Sequence, residues 1–379
     1  MTKNIAILGL GTVGYGVYDI ITKSNYFKNV KIKKILDKDL SKAELVGDII
    51  TTNFEEILND KDISIIVETM GAGAFSYKCI KEALINNKNV VTANKEVIAS
   101  HLEELTALKK EHKVSLYFEA SVGGGIPIIK PLSLITLTND VKSICGILNG
   151  TTNYILTQMD RRGLSFKEAL KEAQEKGFAE ADPTNDLEGL DMVRKIAILS
   201  MIAYHGNINI KNVFNYGISG VTAFDIDYAR NKGYALKFLA TSQKDNNKIE
   251  LRVEPHFVPI DDVISKTSDE FNIIEVDTDL NSDLVFYGKG AGRYPTACAI
   301  CNDIIMIINK DKNYSALFKN KLVATKATKQ AKYYIRVKNI KKLDQKIIEK
   351  MERNVIITKM INFEDINLDG VSFYAKIGK

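Results

Sequence analysis

At 379 residues, with hydrophobic side chains at 45% of positions, the chain is long enough to bury a large core and to form more than one domain. Its formal net charge of +5 is spread along the sequence, with lysines interleaved among glutamates and aspartates, so nucleic-acid binding is not indicated. No apolar run approaches the ~20 residues of a membrane span, and the N-terminus enters a strand without a signal-peptide pattern. We therefore expect a cytoplasmic protein that binds neither membrane nor nucleic acid.

The four cysteines are too few and too scattered for a disulfide framework. Cys298 and Cys301 form a CxxC pattern, but it lies in an apolar run with no second ligand pair and no nearby histidine. This context favours small buried hydrophobic side chains over a zinc site.

The N-terminus carries a glycine pattern typical of dinucleotide binding. The strand-like run Lys3–Leu8 is followed at once by GLGTVG, after which apolar residues recur at helical spacing. In this context the first glycine permits a tight turn, the second lets the backbone approach a pyrophosphate, and the third lets helix and strand pack closely. A turn that binds no ligand is the alternative. The predicted cofactor contacts are Gly9, Gly11, Thr12, Val13 and Gly14.

Short apolar strands then alternate with helical segments. Strands are predicted at Lys31–Leu36, Ile63–Val67, Asn89–Thr92 and Val114–Phe118, and helices include Tyr77–Leu84 and Leu102–Lys110. This alternation predicts an α/β fold with a doubly wound parallel sheet of Rossmann type. After the second strand, Asp37 is placed to accept hydrogen bonds from the ribose of NAD, and Lys38 to meet the 2′-phosphate of NADP. We expect both cofactors to be used.

Residues 177–200, GFAEADPTNDLEGLDMVRKIAILS, are the most informative segment of the sequence. Acidic side chains, including Glu180 and Asp186, precede Asp191 and Lys195, which lie one turn apart on a predicted apolar helix. An ordinary helix ion pair is the plain interpretation. The crowding of acids around one enclosed lysine favours a pocket that holds an ammonium group and moves a proton.

Three further segments combine a strand end with polar residues. VVTANKEVIA places Asn94 and Lys95 at the carboxyl edge of the sheet, where open α/β sheets bind ligands. YFEASVGGGIP offers curled backbone carbonyl groups beside Glu119, which suits a monovalent cation, although a flexible turn is an equal alternative. ICGILNGTTN predicts a strand that ends in Asn149-Gly150, with Thr151 or Thr152 as the cap of the next helix, whose free N–H groups bind a carboxylate or are capped.

Together these motifs resemble homoserine dehydrogenases. The resemblance runs from residue 1 to about 309 through GLGTVG, VTANKEVIA, EASVGGGIPII, GILNGTTNYIL, residues 177–200, YGISGVTAFDIDYA and YGKGAGRYPTA. It implies reversible NAD(P)H-dependent reduction of aspartate 4-semialdehyde to homoserine. It also implies a homodimer or tetramer.

The resemblance assigns roles to individual residues. Lys195 would donate a proton to the carbonyl oxygen of the substrate, and Asp191 would orient that lysine. The substrate would be bound by Glu180, Asp186, Gly150 and Thr151. Further cofactor contacts would come from Thr69, Lys95 and Gly292. A sodium ion would be held by Glu119 and by the carbonyl groups of Val122, Gly124 and Ile126.

The domains implied are a cofactor domain of residues 1–130 completed by 288–309, and an α+β substrate and dimerisation domain of residues 131–287. Residues 325–379 look like a shortened ACT-like regulatory tail. In that tail we predict strands at Tyr333–Val337, Val355–Lys359 and Val371–Ala375 and a helix around Leu343–Met351. The Asp-x-Pro-Gly turn that opens the ACT helix is absent, so amino-acid feedback through the tail is not expected.

Two functions of other kinds compete with this one. The chain could be a different amino-acid semialdehyde oxidoreductase on the same scaffold, or a non-catalytic nucleotide sensor. Retention of the lysine, its acids and the glycine pattern together argues against a sensor.

Overall fold

The computed structural model describes residues 2–311, 318–325, 329–338 and 344–379. The chain forms two compact units, one of Met1–Thr138 with Lys289–Phe318 and the other of Asn139–Gly288 with Lys319–Lys379. Among the helices described, none has both the length and the apolar character needed to cross a bilayer.

The strands are numbered in chain order: β1 (Lys3–Leu8), β2 (Val30–Leu36), β3 (Ile50–Thr51), β4 (Ile63–Glu68), β5 (Asn89–Thr92), β6 (Leu116–Tyr117), β7 (Val141–Ile147), β8 (Phe214–Asn215), β9 (Tyr234–Asp245), β10 (Lys248–Pro259), β11 (Phe271–Thr278), β12 (Ser282–Lys289), β13 (Val323–Ala324), β14 (Lys332–Val337), β15 (Ile348–Glu352), β16 (Val355–Thr358) and β17 (Val371–Ile377).

The helices are numbered likewise: α1 (Thr12–Lys23), α2 (Ala43–Val46), α3 (Phe54–Leu58), α4 (Ala74–Ile85), α5 (Lys95–Glu111), α6 (Ile129–Ile135), α7 (Gly150–Arg162), α8 (Phe166–Glu175), α9 (Thr184–Leu187), α10 (Leu190–Tyr204), α11 (Ala223–Asn231) and α12 (Arg293–Ile308).

The first unit is built on a parallel sheet in the order β3-β2-β1-β4-β5-β6. This is the doubly wound order, and it confirms the predicted Rossmann-type sheet. The strand order reverses between β1 and β4, so the carboxyl end of β1 opens into the crevice where such sheets bind ligands. The GLGTVG segment begins at that end.

The second unit is built on a mixed sheet in the order β12-β11-β7-β9-β10-β17-β14-β16-β15, with β8 and β13 also paired to β10. Most pairs are antiparallel, but β10 and β17 run parallel. Helix α10 is buried along nearly its whole length and is mainly apolar apart from Asp191, Arg194 and Lys195, as expected of a helix inside a core. It begins after Gly189, where a Cβ atom would lie 2.6 Å from the side chain of Val253.

The C-terminal tail corrects one prediction. Strands β14, β16 and β17 lie where strands were predicted, but the predicted helix around Leu343–Met351 is wrong over its described part. There a single 3-10 turn, Gln345–Ile347, leads directly into β15, which pairs antiparallel with β16. Leu343 itself lies outside the described residues. The described tail therefore consists of strands that extend the sheet of the second unit.

The cysteines bring a second correction. Cys301 is buried in the core of the first unit with Val17 and Ile21, but Cys298 on the same helix is exposed. The prediction of burial is wrong for Cys298, which is exposed although its neighbours Ala297 and Ala299 are buried, because the apolar run does not show which helix positions face the core.

Candidate active site

The glycine turn of the first unit has the geometry that a dinucleotide needs. Gly9 has φ +93°, a conformation that glycine adopts without strain, and a Cβ atom on Gly14 would lie 1.9 Å from the Gly9 carbonyl oxygen. No atom lies within 4 Å of the Cβ position of Gly11. Because Gly11 gives α1 no side-chain cap, the amides of Thr12 and Val13 at the helix start are free to meet phosphate oxygens.

Thr69 and Asp37 hold this turn from two sides. The Thr69 hydroxyl donates to the carbonyl oxygens of Leu8 and Gly9 at 3.1 and 2.8 Å. The Asp37 carboxylate accepts from the Leu10 amide at 2.7 Å and from Lys42 Nζ at 2.9 Å. Burial opposes the charged form of Asp37, but its N–H donors outweigh burial and lower the pKa. Sequence reasoning did not single out Lys42, which is five residues from its partner.

The same unit contains three further predicted cofactor contacts, Lys38, Lys95 and Gly292. Lys38 is exposed. Lys95 is the first residue of α5 and partly buried, and Asn94 caps that helix by accepting from the Val97 amide at 3.1 Å. Gly292 precedes α12 with φ +123° and no side-chain cap. Helix α5 therefore begins at the carboxyl end of β5, the edge where Asn94 and Lys95 were predicted.

The carboxylate of Glu119 accepts hydrogen bonds from three backbone amides. It accepts from the amides of Ile128, Ile129 and Lys130 at 2.6, 2.7 and 2.9 Å, which caps the start of α6. Burial raises the pKa of Glu119 despite these bonds. Burial and the nearby Glu119 charge raise the pKa of Asp303 well above its ordinary value.

The predicted sodium site depends on a turn of the same segment. Gly123 and Gly124 adopt φ +75° and +56°. The carbonyl oxygens of Val122, Gly124 and Ile126 accept no backbone hydrogen bond from the described residues. Carbonyl oxygens suit a hard cation, and one lone-pair position of the Glu119 carboxylate is still open after its three bonds. The residues present therefore fit such an ion.

In the second unit, Lys195 and Asp191 form the ion pair predicted from their spacing. Lys195 Nζ lies 2.7 Å from an Asp191 carboxylate oxygen and donates to the carbonyl oxygen of Leu148 at 2.6 Å. Lys195 is 9% exposed and Asp191 6% exposed. Leu148 directly follows β7, so the sheet and helix α10 together fix the ammonium group.

Asn149 is the residue of this cluster that sequence reasoning missed. Its amide nitrogen donates to Asp186 at 2.7 Å and to Asp191 at 2.9 Å. Its oxygen accepts from the amide of Thr152 at 2.9 Å and so caps α7. The predicted cap at Thr151 or Thr152 is therefore wrong, because both threonines lie inside the helix. One buried amide thus holds two like-charged carboxylates together. The signal in the sequence was an asparagine between a strand and a helix, which indicates a cap but not this second role.

Two of the other predicted substrate residues, Gly150 and Thr151, directly follow Asn149 at the start of α7. The Thr151 hydroxyl donates to the Phe178 carbonyl oxygen at 2.6 Å, and a Cβ atom on Gly150 would lie 2.7 Å from the Glu270 carbonyl oxygen. Glu180 is exposed on the loop after Phe178. Two nearby acids do not join the cluster: Asp182 bonds to Thr184, and Glu188 accepts from the Ser219 hydroxyl.

A doubly wound sheet with a pyrophosphate-type glycine turn, in a chain that also carries a buried lysine paired with a carboxylate, is typical of an NAD(P)-dependent oxidoreductase. Family models agree with that class. Residues 9–119 match the NAD-binding domain of homoserine dehydrogenase, and residues 127–305 match the homoserine dehydrogenase domain. The chain belongs to the homoserine dehydrogenase family.

Curated relatives and solved structures support this assignment. The homoserine dehydrogenase of Bacillus subtilis (strain 168) is 40% identical over 314 residues, covering 80% of this chain and 72% of the relative. That of Synechocystis is 40% identical over 319 residues, covering 81% and 74%. The crystal structure of homoserine dehydrogenase from Thiobacillus denitrificans matches with a TM-score of 0.90 at 30% identity, covering 100% of this chain and 99% of that one.

A hyperthermophilic archaeal homoserine dehydrogenase in complex with NADPH is also similar. It matches with a TM-score of 0.71 at 27% identity, and the match covers 83% of this chain and 100% of the archaeal one.

Proposed function

We propose that this chain catalyses the reversible NAD(P)H-dependent reduction of L-aspartate 4-semialdehyde to L-homoserine. The observation that carries the proposal is the Lys195 ammonium group. Of its three N–H groups, two are used by the Asp191 carboxylate and the Leu148 carbonyl oxygen. The third is left for a substrate oxygen.

Proton delivery then follows from this geometry. A bound nicotinamide would supply the hydride to the aldehyde carbon. Negative charge that develops on the carbonyl oxygen needs a donor and nearby positive charge, and Lys195 offers both from one fixed position. Asp191 and Leu148 prevent the lysine side chain from rotating away, so little reorganisation is required as the proton moves.

Charge selects the amino-acid part of the substrate. Asp186, Asp191 and Lys195 together carry a formal charge of −1, which favours a ligand with an ammonium group, and Glu180 adds a further negative charge on the adjacent loop. The amides of Gly150 and Thr151 at the start of α7 would receive the substrate carboxylate, because the Asn149 cap takes the next amide of the helix.

The remaining assignments extend this proposal. Residues 1–130 with 288–309 would bind the dinucleotide and residues 131–287 the substrate. The carbonyl oxygens of Val122, Gly124 and Ile126, with Glu119, would hold a sodium ion that fixes their turn. The working form would be a homodimer or tetramer.

The test is an assay of the purified protein that follows NAD(P)H absorbance with aspartate semialdehyde, and in reverse with homoserine. Turnover in both directions is expected. Turnover only with a different amino-acid semialdehyde would favour the alternative oxidoreductase. Dinucleotide binding without turnover of any semialdehyde would favour a sensor.

A further inference from the structure

A cavity in the second unit is lined by none of the residues of the lysine and carboxylate cluster. Its volume is about 310 Å³, and its walls come from the later half of α7, the start of β9 and the loop of residues 265–268. The α7 residues in its wall include Asp160 and Arg161, ten or more residues beyond Gly150. At ~1.5 Å per helical residue, that end of α7 is roughly 15 Å from the end beside Lys195.

Lys237 is the buried charge of this cavity. It is 6% exposed and lines the cavity wall. Within the described residues, its ammonium group donates to the carbonyl oxygen of Thr267 at 2.6 Å, and no other acceptor lies within hydrogen-bond distance. Two of its three N–H groups are therefore unused, although a buried ammonium group without a carboxylate is costly. Burial lowers the pKa of Lys237 to about 8.

The charged groups around Lys237 are mainly basic. On α7, Asp160 is already paired with Arg230 at 2.7 Å. Arg161 bonds to Asp269 at 3.2 Å and to the Ser268 hydroxyl at 2.7 Å. Exposed Lys266 lies on the loop that forms the third wall.

The formal charges of these groups do not cancel. Four are positive (Lys237, Lys266, Arg161 and Arg230) and three are negative (Asp160, Asp269 and Asp227, the second partner of Arg230), so the formal sum is +1.

We propose that this cavity binds a small oxyanion, a phosphate or carboxylate group, with Lys237 as its buried contact. Two unused N–H groups would meet anionic oxygens, and the mouth would receive further compensation from Arg161 and Lys266. Leu156 and Leu236 in the wall leave room for a short carbon chain on the anion. The inference is independent of the proposed reaction, because none of these residues belongs to the Lys195 cluster.

The test uses the amine of Lys237 as its own reporter. The full chain, saturated with dinucleotide to fill the phosphate cradle of the first unit, is acylated with acetic anhydride, and modified lysines are quantified by mass spectrometry. Inorganic phosphate and malonate are the two probes, and exposed Lys248 is the internal reference. An anion at about ten times its Kd should slow acylation of Lys237 about tenfold and leave Lys248 unchanged.

Protection by phosphate, by malonate or by both supports the site, and the difference between the two arms identifies the preferred anion. The apparent pKa of Lys237 should also rise when the anion is present, because the anion favours the charged amine. Unchanged acylation with both anions overturns the proposal. A Lys237 that is unreactive even without anion also overturns it, because the cavity would then be closed.

Thermal unfolding provides the second measurement. The increase in Tm caused by the anion should disappear in Lys237→Met and persist in Lys195→Met. Loss of the increase in Lys195→Met alone would place the anion in the substrate site and refute the proposal. An equal increase in wild type and Lys237→Met would do the same.

Discussion

At the scale of single residues, the hydrogen-bond partners of the Lys195 ammonium group explain how the candidate site would work. Two fixed acceptors orient the ammonium group but use only two of its three N–H groups, and a bound substrate oxygen would accept from the third. The same two contacts explain why a charged side chain is tolerated at 9% exposure. The Asp191 carboxylate and the Leu148 carbonyl oxygen therefore both stabilise the buried lysine and orient it for the proposed proton transfer.

Lys195→Ala is expected to fold and bind dinucleotide but to lose ~10²–10⁴-fold in kcat, the usual range for a general acid. Lys195→Arg keeps the charge and fills more of the space, yet a guanidinium group does not give up its proton, so it should be nearly as inactive. Steady-state kinetics and dinucleotide titration measure both. A kcat close to wild type in Lys195→Ala would transfer the role to Lys95.

Asn149→Ser separates the two roles of that side chain. Serine still caps α7 but is too short to reach Asp186 and Asp191, so the stability provided by the cap should be kept while both bonds to the carboxylates are lost. Because one hydrogen bond to a charged group is worth about 1.5–3 kcal/mol, losing both predicts a fall in kcat/KM of at least roughly 10-fold. Asn149→Ala should lose similar activity and, in addition, about 1 kcal/mol of stability. Wild-type kcat/KM in Asn149→Ser would show that the bridge is not needed.

We expect cofactor choice to depend on Asp37 and its two basic neighbours, Lys38 and Lys42. Lys42 neutralises part of the Asp37 charge, so the acid should not strongly repel a 2′-phosphate. Exposed Lys38 offers one screened contact worth less than ~1.4 kcal/mol, or tenfold. We expect NADH to support turnover within about tenfold of NADPH, and Lys38→Ala to raise KM for NADPH only. Exposed Lys31→Ala is the control, and a preference above about a thousandfold for NADPH would contradict the prediction.

At the scale of elements, helix α5 contains a lysine that works against folding. Lys109 is 8% exposed, and burial alone lowers its pKa to about 8. Because the pKa is lower in the folded state, the unfolded chain binds more protons between pH 8 and 10.5, and stability rises with pH across that window. Below pH 8, where Lys109 is protonated in both states, burial of the charged amine destabilises the folded state to its full extent.

Lys109→Met should therefore stabilise the first unit by on the order of 2 kcal/mol at neutral pH. The gain should shrink as the pH rises from 8 towards 10.5, where the wild-type lysine loses its proton in both states. Exposed Lys110→Met on the same helix is the matched control and should change little. Urea unfolding at pH 7 and pH 10 measures both variants, and a destabilised Lys109→Met at pH 7 would refute the argument.

The elements that the sequence predicted correctly are those whose signals are local. The glycine turn at Gly9 and the Asp191–Lys195 pair each lie within one short segment, so their geometry follows from spacing alone. The Asn149 bridge joins residues 37 and 42 positions apart, and no pattern along one segment reports it.

The helix predicted where β15 lies was wrong for a related reason. Ile347, Ile348 and Met351 have helical spacing, but pairing with β16 across a turn decided the structure. That turn contains Arg353 at φ +56°, a conformation that the sequence signals only when glycine or asparagine occupies it.

At the scale of the whole molecule, the tail raises the question of regulation. Its described strands continue the sheet of the second unit, and its described residues contain no α-helix. We expect threonine at millimolar concentration not to inhibit through a dedicated ACT site. The turnover assay with added threonine measures this. Strong inhibition that is not competitive with aspartate semialdehyde would prove the expectation wrong.

Deletion of residues 325–379 is expected to prevent folding of the second unit, because tail residues donate hydrogen bonds to its buried carboxylates. Arg336 on β14 donates to both oxygens of Asp225 at 2.8 and 3.1 Å, and the Tyr334 hydroxyl donates to the same carboxylate at 2.7 Å. Asp225 has no exposed surface. On β17, the Tyr374 hydroxyl donates to fully buried Glu254 at 2.8 Å. Without the tail, both carboxylates would lose these donors.

Arg336→Met tests this integration without deleting any strand. Removing one partner of a buried ion pair costs about 3–5 kcal/mol, because the remaining charge is left without compensation. The variant should lower the Tm of the unit that contains Asp225, with α11 and β10 losing hydrogen-exchange protection together with the tail. Exposed Lys338→Met is the control and should leave the Tm unchanged. If only the tail loses protection while α11 and β10 keep theirs, the tail is a separate module and the integrated sheet is the wrong description.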